Sequence, residues 1–156
     1  MAAALRGLTK FTAANRRAGH VTIGILVTDG GPLGCDEDLT SLSSILDAHF
    51  AATTNCTYVI GMNGATVSNM ERLGIGGGAP THAATVGMLA NECGGVPAPC
   101  HFWNVGDGDP AGFIQALGAI QESANGCKPG GANVNLPNSR PVLHHAPNRT
   151  KRVAAA

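Results

Sequence analysis

The chain has 156 residues, an apolar share of 44% and a mean hydropathy of +0.08, which supports one buried core and excludes a wholly disordered chain. Aromatic residues make up 4%, and Gly and Pro together about a fifth, so the core is built from Ala, Val, Ile and Leu and the chain turns often. The net charge of zero hides a partition: residues 1–20 and 126–156 hold nine bases and no acid, while the body between holds all ten acids and one base, Arg72, a distribution unlike that of a nucleic-acid binder.

Residues 3–17 carry Leu5, Leu8 and Phe11 on one stripe, with Gly19 as a stop, and predict a helix. His20–Thr28 (HVTIGILVT) is a nearly continuous β-branched and aliphatic run, the pattern of a strand buried on both faces in a parallel sheet. Asp29-Gly30-Gly31-Pro32 breaks it. Residues 38–50 carry Leu39, Leu42, Ile45, Leu46 and Phe50 at helical spacing, with Asp36 or Asp38 as cap. Thr57–Gly61 (TYVIG) predicts a second buried strand. Val67, Met70 and Leu73 mark a short helix, and Ser68 with Glu71 has the spacing of a capping box.

Residues 74–99 read as irregular and Gly-rich, and His101–Val105 (HFWNV) as a third strand. Asp109-Pro110 opens a helix as N-cap and first helical residue, with Phe113, Leu117 and Ile120 on its apolar face. This order predicts an α/β fold, a three-layer α-β-α sandwich with a parallel sheet. The domain is expected over residues 1–127, and a flexible tail over 128–156, where no periodicity survives. No apolar run approaches the ~20 residues of a membrane helix, and no secretory h-region follows Met1.

Asp29 stands at the carboxyl end of the first strand, the edge where open α/β sheets bind ligands. Gly30, Asn63 and Asp107 belong to the same predicted rim, so one alternative is a small α/β enzyme or nucleotide-binding protein that uses Asp29, Asn63 and Asp107. The run Gly74-Ile75-Gly76-Gly77-Gly78 follows a helix, whereas phosphate loops follow a strand and open a helix, so a turn is the better reading. His101 and Cys100 are adjacent on a strand and point to opposite faces, which argues against a Cys/His nucleophile pair. Ser41, Ser43 and Ser44 fall on a helix and make no nucleophile elbow.

Five cysteines, with no Cys-x-x-Cys, argue against a zinc ribbon or thioredoxin site. Cys93 and Cys100 flank a short loop and form the candidate disulfide in an oxidising compartment. Cys35 and Cys56 lie at opposite ends of a predicted helix about 18 Å long, beyond disulfide reach.

The strand ending in Thr28-Asp29-Gly30, the amphipathic helix, Tyr58-Val59-Ile60-Gly61, Asn69-Met70-Glu71-Arg72-Leu73, HFWNVGDGDP and FIQALGAIQ together resemble the von Willebrand factor type A domain in its bacterial form. The resemblance covers about residues 4–127 and matches the C-terminal half of that domain. It implies a non-enzymatic protein-interaction or adhesion module with a protein ligand, and a secreted or cell-surface parent. It also implies a metal-ion-dependent adhesion site in which Asp29 holds Mg²⁺ or Mn²⁺ and an acidic group of the partner completes the shell. The family's Asp-x-Ser-x-Ser loop does not occur in this chain, so the site is expected to be incomplete and its metal binding weak. The strand matching Val21–Thr28 is central in the family's sheet. Without its first neighbour it becomes an apolar edge, and self-association through Val21–Thr28 is expected.

Overall fold

The computed structural model describes residues 1–31, 38–62, 65–82, 100–105 and 109–127. Its elements are α1 (Ala2–Ala14), β1 (Gly24–Thr28), α2 (Leu39–Thr53), β2 (Thr57–Gly61), α3 (Val67–Gly76), β3 (Phe102–Asn104) and α4 (Pro110–Ser123), the last followed by a 3₁₀ turn at Ala124–Gly126. The strands pair in parallel in the order β1-β2-β3, with Gly24 opposite Thr57 and Val59 opposite Phe102. This is the expected α/β sandwich. The predicted tail, residues 128–156, lies outside the described residues.

Alternation along β2 divides the core into two layers. Val59 and Phe102 face Leu5 of α1, Leu42 and Leu46 of α2, and Met70 and Leu73 of α3. Tyr58, Ile60 and Trp103 face Ala116 and Ile120 of α4. β2 is buried at all five positions, as a central strand must be. Both crossover helices therefore lie on one face, as a sheet that grows in one direction with one crossover hand requires.

Several boundaries differ from expectation. α1 stops at Ala14, because the Asn15 side chain donates to Phe11 O at 2.8 Å and closes the helix before Gly19 is reached. Phe11 is 65% exposed, so the buried stripe of α1 is Ala2, Leu5 and Thr12, with Leu8 half-buried. β1 begins at Gly24 rather than His20, since only from Gly24 onward does it have a partner strand. It is half-buried rather than covered on both faces, and Val27 is 43% exposed.

The helix caps follow side-chain chemistry. Asp38 accepts from the Ser41 hydroxyl and from the Ser41 and Thr40 amides, which holds its carboxyl below the usual range. Asp109 caps α4 by accepting from Gly112 N at 2.9 Å, with Pro110 in the first turn. The capping box at Ser68 and Glu71 does not form: the N-cap of α3 is Thr66, and Glu71 is committed elsewhere. Its carboxylate accepts from His101 N and from His101 Nδ1, each at 2.7 Å, and ties α3 to the start of β3.

Candidate functional site

Asp29 is exposed at the carboxyl end of β1. The turn after it is held by its neighbour: Thr28 Oγ1 donates to Gly30 O at 2.9 Å and accepts from Gly30 N at 3.4 Å. Gly31 lies beside the first turn of α3, where an added Cβ would sit 3.5 Å from Asn69 Nδ2. Asn63 and Asp107 lie outside the described residues. Asp109, the other described carboxylate after a strand, is spent on its helix cap. Among the described residues no three His, Cys, Asp or Glu side chains converge as metal ligands. Asp29 alone does not supply the octahedral oxygen set that Mg²⁺ demands.

The glycine run is a packing device. Gly74 and Gly76 belong to α3, which thus extends into the stretch expected to be irregular. An added Cβ at Gly74 would lie 2.2 Å from His101 O, at Gly76 2.4 Å from Ser43 Oγ, and at Gly77 2.3 Å from Thr57 O. The amides are committed too: Gly77 N donates to Leu73 O, Gly78 N to Ile75 O and Ala79 N to Gly74 O. These amides are not free to cradle a phosphate.

The amino ends of the strands hold a polar cluster that the motif reading passed over. Thr12 Oγ1 and His49 Nε2 are 2.9 Å apart, and Asn55 Nδ2 donates to Thr12 O at 3.3 Å. All three residues are buried. The legible signal was position: His49 continues the buried stripe of Leu42 and Leu46 on α2. Burial lowers the His49 pKa, and the Arg16 charge lowers it further.

A histidine whose folded pKa lies below its ordinary value of 6.5 binds fewer protons folded than unfolded in the interval between the two. Its contribution to stability is full above the unfolded pKa and is lost as pH falls through the folded one. The thermal midpoint is therefore expected to fall as the pH drops below the ordinary histidine value of 6.5, and His49→Gln to flatten that slope. An unchanged slope in the variant would assign the acid sensitivity to other groups.

Next to this cluster a cavity of about 380 Å³ opens between the α1–β1 connection and the start of β2. Arg16, Arg17, His20, Asn55 and Cys127 are among its lining residues. Cys127 is disulfide-bonded to Cys56 across 71 residues. A disulfide sulfur carries no hydrogen, so Tyr58 Oη–H donates to Cys127 Sγ at 3.1 Å while Ser123 Oγ donates to Tyr58 at 3.0 Å. Burial raises the Tyr58 pKa, and the Ser123 bond opposes that rise. The pair joins the start of β2 to the end of α4, a link that no spacing rule reveals. It also occupies Cys56, in keeping with the rejection of a Cys35–Cys56 pair. Of the candidate pair Cys93–Cys100, Cys93 lies outside the described residues, and Cys100 is disulfide-bonded.

Trp103 stacks on His82, with ring centroids 4.0 Å apart, and His82 Nε2–H donates to Phe102 O. The short antiparallel bridge of His82 with Cys100 adds backbone pairing just before β3. Trp103 Nε1 is buried without a hydrogen-bond partner among the described residues. The chain matches no protein-family model, and no curated protein or solved structure matches it.

Proposed function

We propose that the chain is a non-enzymatic protein-interaction module of the von Willebrand A kind, and that its contact element is the open edge of β1. The observation that carries this reading is the sheet order β1-β2-β3: the strand ending in Thr28-Asp29-Gly30 is paired on one side only among the described residues. Gly24 N donates to Cys56 O and Met62 N to Thr28 O. Backbone groups of residues 24, 26 and 28 thus face β2, and alternation along the strand turns those of Ile25 and Val27 to the open side.

An edge reading Gly-Ile-Leu-Val-Thr has no Lys, Pro or charge to discourage pairing. A partner strand that adds there satisfies these groups, and a second copy of the chain is the simplest source of one. Mg²⁺ or Mn²⁺ at Asp29 is a lesser part of the same reading, in which an acidic group of the partner supplies oxygen that Asp29 lacks.

Sedimentation of the purified chain tests this. The wild type is expected to associate with rising concentration, and Val27→Lys, which places a charge on an exposed position of the edge, to stay monomeric with its fold retained. A wild type that stays monomeric at high concentration would overturn the edge as the contact element.

A further inference from the structure

The rim at Asp29 is the expected place for a ligand in an open α/β sheet, yet the cavity lies at the opposite, amino ends of the strands. It joins two features that ordinarily occur apart. One is a pair of adjacent arginines, Arg16 and Arg17, with His20 and Asn55 as further polar lining. The other is a disulfide-bonded cysteine, Cys127. Among the described residues no acidic side chain lines it. We propose that this cavity is a thiol–disulfide exchange site, which admits a carboxylate-bearing thiol to Cys127 and releases Cys56.

Access decides which sulfur is attacked. Cys127 lines the cavity and is 7% exposed, whereas Cys56 is 1% exposed and is not among the lining residues. The incoming thiolate forms a new S–S bond to Cys127 Sγ. The Cys56–Cys127 bond breaks, and its electron pair leaves on Cys56 Sγ, which takes a proton from water. The incoming thiol is oxidised to a mixed disulfide, and Cys56 is reduced.

The structure provides for both products. Cys56 Sγ lies 3.2 Å from Gly78 O, a sulfur–oxygen contact in the disulfide that becomes a hydrogen bond once Cys56 carries a proton. Cys127 Sγ keeps the Tyr58 hydroxyl as donor in the mixed disulfide. The arginines attract the carboxylate of the incoming thiol and raise the local concentration of its thiolate, an effect on rate that salt screens.

The test uses two small thiols of similar size and opposite charge, 3-mercaptopropionate and cysteamine, on the folded, oxidised full chain. Products are trapped in acid, alkylated and mapped by mass spectrometry. The expected result is a mercaptopropionate adduct on Cys127 with Cys56 free to alkylate. It should form about tenfold faster per thiolate than the cysteamine adduct at low salt. Arg16→Ala with Arg17→Ala, both at exposed positions, should bring the two rates together. An adduct on Cys56, equal rates for the two thiols, or a rate that follows global unfolding in denaturant would each overturn the proposal.

Discussion

Gly74→Ala is expected to destabilise the fold by about 2–3 kcal/mol, although alanine is the better helix former. Gly74 is buried within α3, and its new methyl carbon would lie 2.2 Å from His101 O, a backbone atom at the start of β3. A flexible side chain turns away from such a contact, but a carbonyl leading into a paired strand has no such freedom. Relief requires α3 to lift from the sheet, and lifting it breaks the Glu71 bonds to His101.

Gly7 is the control. It too is helical, in α1, but is exposed, and nothing lies within 4 Å of an added Cβ. Gly7→Ala should therefore stabilise by roughly 0.5–1 kcal/mol. Urea unfolding at unchanged slope reads both variants, and the opposite signs are the result to look for. A Gly74→Ala protein as stable as the wild type would mean that α3 is not seated against β3 in this way.

The same glycine shows where sequence reasoning stops. Periodicity located α3 through Val67, Met70 and Leu73, because apolar spacing is a local property. The run from Gly74 to Gly78 looked like the end of order, yet these residues are small because Ser43, His101 and Thr57 approach them from elsewhere in the chain. β2 was legible to the residue, since a strand buried on both faces is an apolar run wherever it begins and ends. β1 was legible in kind but not in extent. Its apolar run continues upstream to His20 and Val21, which line the cavity instead of pairing with β2, and strand limits are set by a partner's register.

The site divides in the same way. Asp29 was legible as a rim residue because it follows a strand directly. The opposite end was missed because its members, Thr12, Arg16, His49, Asn55 and Cys127, come from α1, the connection after it, α2, the connection to β2 and the far side of α4. No window of sequence holds them together. Only His49 left a local trace, as a polar residue on an otherwise apolar stripe.

Cys127→Ala should be among the most costly single changes in the chain. The Cys56–Cys127 disulfide closes a loop across 71 residues, and loop entropy assigns a closure of that length about 4 kcal/mol. Against a typical domain stability of about 5–15 kcal/mol, that is a large share. The thermal midpoint should fall by roughly 15 °C. The variant isolates this bond, whereas a reductant would also open the one at Cys100. Trp103, the chain's one tryptophan, packs with Tyr58, Ile120 and Cys127 in the same core cluster. Its emission should shift to the red as the end of α4 loosens. An unchanged midpoint with unchanged emission would show that the apolar face of α4, with Ala116 and Ile120 at its centre, holds the helix without this bond. In that case thiol exchange at Cys127 would leave the domain intact. A large fall would instead mean that each exchange event weakens the layer that covers Tyr58 and Trp103.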